Sequence, residues 1–151
     1  MQIIHGATGI IYFAHGITSP NGPFQENALV SDRVMMSALS KINAQIHRLT
    51  RVIKTPNLEN TSTVISENPD VPVAHIMKKF NDAYYIFSIS MRPKFTNATL
   101  SIKGLKAGAQ IEVIDEDRTI IAEDVKFSDI FSPMKVHLYK FKIEDLGGEI
   151  K

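Results

Sequence analysis

The carboxylates that could do chemistry fall in two places. Glu26 lies in a loop rich in proline and glycine, and Asp115, Glu116, Asp117 and Asp129 gather around Arg118. Paired carboxyl groups can act as proton donor and acceptor, or as donor and nucleophile, when they flank a scissile bond. Grouped oxygens can also hold calcium, but calcium wants six or more of them in a defined loop, and no EF-hand spacing is present. The plainer reading of the second group is a tight turn with an Arg118 ion pair, Asp129 capping a turn through backbone N–H groups. Glu26 reads either as a solvated loop carboxylate or as a pocket-lining group. His15 follows a short apolar run, whereas His5, His47, His75 and His137 show no ligand spacing among themselves. His137 reads as facing outward from a strand whose Val136 and Leu138 face inward. There is no cysteine, so thiolate metal sites and disulfides are excluded. No metal and no cofactor is expected. Aromatic platforms are scarce. There is no tryptophan, and Tyr84, Tyr85 and Phe87 share one strand in which Tyr85 and Phe87 lie on one face. Core packing accounts for them before stacking does.

Composition narrows the partners. The 151 residues carry a net charge of +1, with 44% hydrophobic and 22% charged residues, as in a globular domain. That charge gives no electrostatic case for nucleic acid or an acidic membrane, and no apolar run approaches the ~20 residues that cross a bilayer. Residues 1–14 are apolar but lack a basic leading segment and a cleavage site, so a signal peptide is not expected. The compartment stays open. Asn60-Thr61-Ser62 and Asn97-Ala98-Thr99 match a glycosylation pattern of low specificity.

The elements that must position these groups fall into three zones. In the first, Gln2-Ile3-Ile4-His5 before Gly6 reads as the last turn of a helix with its glycine cap. One turn cannot stand alone, so the chain is expected to start part-way through an element. Residues 9–14 form a continuous apolar run of β-branched and aromatic type, which fits a strand buried on both faces, as in a parallel sheet. In the second zone the spacing predicts a helix over 31–53, with Ser31 or Asp32 as its N-cap. Met35, Ala38, Leu39, Ile42, Ile46, Leu49 and Ile53 make one apolar stripe. Thr55-Pro56-Asn57 stops it. In the third zone, strands are expected at 62–66, 73–79, 84–90, 98–103, 110–114, 119–122 and 135–143. The fold class is therefore mainly β: an antiparallel sandwich of about seven or eight strands, preceded by one buried strand and one long amphipathic helix. Residues 145–151 are expected to be a flexible tail.

Two segments carry a resemblance. His5-Gly6-Ala7-Thr8-Gly9-Ile10-Ile11-Tyr12-Phe13 resembles the passage from the seventh helix to the last strand of (β/α)8 glycoside hydrolases of the retaining, two-glutamate type. The helix containing Ile42-Asn43-Ala44-Gln45-Ile46 and Leu49 is similar to their closing helix. Further on, Val113-Ile114-Asp115-Glu116-Asp117-Arg118, Phe127-Ser128-Asp129-Ile130-Phe131-Ser132-Pro133 and Val136-His137-Leu138-Tyr139-Lys140 resemble the end of a β-sandwich appended to such barrels, where the pattern runs roughly V-x-E-x-R … F-x-D-x-F-x-P-x-x-V-H-x-Y.

The resemblance implies that 1–57 is the end of a barrel and 58–144 the sandwich. A complete barrel takes roughly 250 residues, and the catalytic glutamates of that family lie on strands before the matched segments. No catalytic residue is therefore assigned to this chain. His15 and Glu26 would stand at the C-terminal mouth of an intact barrel, where an imidazole can hydrogen-bond a sugar hydroxyl or a carboxylate. The implied partner is carbohydrate through the parent barrel, with docking onto the rest of a barrel, or self-association, for the chain by itself. The alternative is a freestanding sandwich that binds carbohydrate or protein. A third reading has the sandwich merely stiffening a barrel. The parent would be a glycosidase and the chain alone inactive.

Overall fold

In a computed structural model of the protein, residues 2–7, 9–12, 16–17, 24–25 and 28–148 are described. The N-terminal turn forms as its sequence suggests. His5 N–H donates to Gln2 O and Gly6 N–H to Ile3 O, both at 3.1 Å, and Gly6 takes φ +93°, a conformation that glycine adopts without strain. The expected buried strand is a correction. Residues 9–12 carry no strand and Ile11 is 97% exposed, while Phe13 and Ala14 lie outside the described residues. A strand buried on both faces needs hydrogen-bonded neighbours. Among the described residues, the strands that follow, β1 (Gly16–Ile17) and β2 (Phe24–Gln25), pair with each other and with no other strand.

A short helix, α1 (Ala28–Ser31), leads into the long α2 (Arg33–Ile53). Asp32 is the N-cap of α2. Its carboxylate accepts from Val34 N–H at 3.0 Å and Met35 N–H at 2.9 Å, satisfying two of the donors a helix start leaves open. At the other end Lys78 donates to the carbonyl of Thr55, a cation near the negative pole of the helix. Burial pushes the Lys78 ammonium below its ordinary range.

Eight strands follow: β3 (Ser62–Ser66), β4 (Val73–Phe80), β5 (Ala83–Ser90), β6 (Thr96–Ile102), β7 (Gln110–Val113), β8 (Arg118–Ile121), β9 (Lys126–Phe131) and β10 (Val136–Lys142). They form a five-stranded sheet in the order β4-β5-β10-β7-β8 and a three-stranded sheet in the order β3-β6-β9. Every pairing is antiparallel. The architecture is a β-sandwich preceded by a helix, as expected.

Alternation along the strands sorts the core into two layers. Tyr84, Ile86, Tyr139 and Phe141 turn inward to meet Leu100 and Phe127 of the second sheet. Tyr84 stacks on Phe141 at 5.5 Å between centroids, and Phe127 meets Tyr139 edge-on at 4.9 Å. Phe87, Ile89 and Leu138 turn outward and pack under Val52, Leu49 and Ile53 of α2, with Ile4 beside them. The stripe on α2 is thus covered at its C-terminal end. Its N-terminal half is not: Val34 is 82% exposed, Met35 50% and Ile42 46%.

Two differences have physical causes. β9 is missing from the expected strands, because Asp129 shares the inward face with Phe127 and Phe131 and breaks the apolar alternation. His137 faces inward and is buried, whereas Val136 is exposed. Within the segment expected to be a tail, residues 146 and 147 are tied down. Leu146 is buried against the core, and Gly147 N–H donates to Gly104 O at 2.7 Å.

α2 is also clamped by a polar contact. Asp115, in the β7–β8 turn, accepts from Gln45 Nε2 at 2.7 Å and from Arg48 Nη2 at 2.6 and 2.9 Å. The Gln45 hydrogen bond, with Arg48, holds the Asp115 carboxyl below its ordinary range. Packing rather than this solvent-washed clamp holds the helix. Leu138→Ala is expected to cost about 3 kcal/mol, and Asp115→Ala less than about 1 kcal/mol. Urea titrations followed by circular dichroism check the ranking, and equal losses would overturn it.

Candidate functional site

The polar groups that converge most closely lie at one end of the sandwich. The loop between β7 and β8 puts Asp115 and Asp117 in left-handed conformations, φ 64° and 48°, which aspartate tolerates better than most residues. That turn points Asp115 toward the helix and Glu116 toward the core. Arg118 opens β8 opposite Val113, Asp129 sits mid-strand in β9, and His137 and Tyr139 come from β10.

Arg118 forks onto Asp129, with Nη1 to Oδ1 at 3.0 Å and Nη2 to Oδ2 at 2.7 Å, while its Nε donates to Glu116 Oε2 at 2.9 Å. The Tyr139 hydroxyl donates to Asp129 Oδ2 at 2.9 Å. His137 Nδ1 lies 2.7 Å from Glu116 Oε1 and 3.2 Å from Arg118 Nη2, and its Nε2 lies 3.2 Å from the carbonyl of Ile130. Lys135 Nζ reaches Glu116 Oε1 at 3.1 Å. Phe131 closes on the imidazole edge-on at 4.7 Å. The side chains of His137, Asp129, Glu116 and Arg118 are 4, 9, 19 and 36% exposed, so the cluster is buried on its β9–β10 side and open at Arg118.

Charges here answer one another. Burial works against the Glu116 anion, but hydrogen bonds from Arg118, Lys135 and His137 outweigh it and hold the carboxyl below its ordinary range. The hydrogen bonds to Asp129 keep Arg118 firmly cationic. Burial, reinforced by the Asp129 charge, pushes the Tyr139 phenol far up.

This arrangement is a brace rather than a reaction centre. Each carboxylate oxygen already accepts a hydrogen bond, and the main surface pockets are lined by other residues. A guanidinium at its centre repels cations, and among the described residues no group of three or more His, Asp or Glu is placed to hold a metal. The turn-plus-ion-pair reading describes Glu116, Arg118 and Asp129. Asp115 belongs to the helix clamp, and Asp117 is exposed.

The other candidates separate. His15 and Glu26 lie outside the described residues. His5 and His47 are exposed, and His75 Nε2 lies 2.9 Å from Ser62 Oγ where β3 meets β4. Burial pushes the His75 imidazole down. Tyr84 and Phe87 are buried and Tyr85 half-buried, so they pack. Sequence reasoning misses Lys135 as a member of the cluster. It also misses an apolar cavity of about 370 Å³ between residues 2–4 and Ile10, α2 and the outer face of the five-stranded sheet, lined by Ile3, Ile10, Ile42, Ile46 and Phe87 among others.

If the cluster braces the fold, Arg118→Met weakens it. Breaking a buried pair costs about 3–5 kcal/mol. The guanidinium here is 36% exposed, so screening brings the expected loss to about 2 kcal/mol. Arg118→Lys is expected to recover less than half of that, because an ammonium cannot make the forked contact. Chemical denaturation of both variants checks this, and a loss below about 0.5 kcal/mol for Arg118→Met, the level of an ordinary surface substitution, would remove the bracing role.

Comparison with known proteins adds a likeness of fold. No protein-family model and no curated protein matches the chain. Among solved structures it is similar to AmyP E221Q in complex with maltotriose, at 15% sequence identity and a TM-score of 0.52, over 83% of this chain and 24% of that one. At that identity the likeness speaks for the fold alone. The chain spans about a quarter of the length of the protein it matches.

Proposed function

We propose that this chain is the C-terminal part of a glycoside-hydrolase-like protein. In this reading 1–57 derives from the end of a (β/α)8 barrel, and 58–144 is an accessory sandwich that stiffens it without supplying catalytic carboxylates. The observation that carries the proposal is the match of most of this chain to a quarter of a protein seen with maltotriose. Two features support it. Glu116, Arg118, Asp129, Phe131, His137 and Tyr139, the residues that carried the sandwich resemblance, form one connected cluster. The exposed apolar face at Val34, Met35 and Ile42 suits a helix that packs on a further body. His15 and Glu26 are then rim residues of a site completed elsewhere in the parent.

The freestanding sugar-binding module is the weaker reading. Stacking on sugars wants a row of exposed aromatic rings, and among the described residues the large exposed aromatics are Phe95 and Tyr12, with Tyr12 donating to Asn43 Oδ1 at 2.8 Å.

Expressed alone, the chain is expected to self-associate, to cleave no chromogenic glycoside and to give no heat with maltooligosaccharides at millimolar concentration. Sedimentation, an activity screen and calorimetry test this. A monodisperse monomer with glycosidase activity would sink the proposal, and saturable sugar binding without activity would favour the module.

A further inference from the structure

The apolar cavity beside α2 has a floor and a mouth of different character. Ile4, Phe87 and Leu138 line it and are buried, which makes them its floor. Ile42 and Val136 also line it but are 46 and 41% exposed, so the cavity meets solvent there. Residues 2–4 and Ile10 wall it from outside. The Tyr12 hydroxyl, donating to Asn43 Oδ1 at 2.8 Å, ties that segment to the helix. At about 370 Å³ the cavity lies near the lower end of the ~300–1,000 Å³ typical of small-molecule sites. Its wall is apolar except at Gln2 and Gln45, so water finds few partners inside and a hydrocarbon is the better occupant.

Charge fixes the other end of the ligand. On α2, Ile42, Ile46 and Leu49 form a row along the cavity. Lys41, Gln45 and Arg48 form the neighbouring row, each one residue earlier. That second row lines a shallow cleft, which shares Ile42 and Gln45 with the cavity and holds Asp115 as its carboxylate. Asp115 is already answered by Gln45 and Arg48. Two cations, Lys41 and Arg48, thus face one carboxylate, and α2 itself carries no acidic residue. The mouth favours an anion.

We propose that the cavity binds a single-chain amphiphile with a carboxylate head, a free medium-chain fatty acid, whose tail lies between α2 and the five-stranded sheet and whose carboxylate meets Lys41 at the mouth. A single closed-floored cavity takes one chain, which sets a free acid apart from a two-chain lipid. The site does not depend on a barrel preceding the sandwich, since every wall named belongs to this chain.

Methyl NMR and calorimetry on the full chain, titrated with octanoate and decanoate below micelle formation, test the site. Methyl signals of Ile46, Leu49 and Leu138 are expected to shift saturably. Decanoate is expected to bind about tenfold tighter than octanoate or more, since each buried methylene contributes about fourfold. Ile46→Phe, which puts a larger side chain into the cavity, is expected to weaken decanoate about tenfold. Lys41→Glu changes an exposed side chain, and is expected to weaken decanoate about fivefold while leaving binding of neutral decanol unchanged. Absence of saturable shifts in the cavity methyls overturns the proposal, and so does a Lys41→Glu protein that binds decanoate as the unaltered one does. Shifts that follow protein concentration instead of added acid mark a second copy on this face and overturn it as well. Should Ile46→Phe fail to fold, the chain-length series and Lys41→Glu decide.

Discussion

The end of the sandwich that holds β7, β8, β9 and β10 depends on the fork between Arg118 and Asp129. An ion pair taken out of water is stable only when the remaining lone pairs and protons also find partners. Here they do. Glu116 takes the guanidinium Nε, Tyr139 takes the second Asp129 oxygen, and Lys135 and His137 take the far side of Glu116. Removing one member leaves another buried and unanswered, so the members act as a unit. The need for that unit comes from topology. The hairpin sits at the edge of the five-stranded sheet, with two backbone pairs to β10, and Asp129 belongs to the opposite sheet. The fork is therefore a bond between sheets, set beside the apolar layer to which β7 contributes Ile111 and Val113.

The central strands solve a different problem. β5 is covered on both faces, by the second sheet through Tyr84 and Ile86 and by α2 through Phe87 and Ile89. A strand of this kind shows near-continuous hydrophobicity, as Ala83-Tyr84-Tyr85-Ile86-Phe87 does. The same arrangement fixes the helix. Leu138 and Phe87 set where α2 can lie, and Asp115 sets its rotation by meeting Gln45 and Arg48, three residues apart along one flank. Because α2 is 21 residues long, roughly 31 Å at the standard rise, and the sheet covers only its C-terminal part, its remaining apolar stripe extends past the sheet.

Much of this is legible in the sequence wherever a residue's type agrees with its face. The period of α2, its capped start at Asp32, and the alternation of Ala98, Leu100 and Ile102 all read correctly because local preference and burial coincide. The reading fails where a polar side chain faces inward. Asp129 hides β9, and His137 reads as turned the wrong way, since each occupies an inward position that only a partner from another strand makes tolerable. Such partners are distant in sequence: Asp129 is 11 residues from Arg118, and Glu116 is 21 from His137. The short run at 9–12 fails for the opposite reason. Its composition suits a buried strand, but composition cannot supply the neighbouring strands that burial requires. Candidate residues His15 and Glu26 come from the resemblance and from their position after that run, and they lie outside the described residues.

Satisfaction and exposure together bear on what this chain can do. A reaction centre keeps donors, acceptors or a nucleophile free to meet a substrate inside a concave site. The largest convergence of polar groups here is closed, each carboxylate already engaged and an aromatic ring against the imidazole. What is left unanswered is apolar: the start of α2 and the cavity walled by Ile3, Ile10, Ile42 and Ile46. Apolar surface carries no chemistry of its own but gains free energy when water leaves it. The proposed packing of α2 on a further body would draw on this apolar surface, at Val34, Met35 and Ile42.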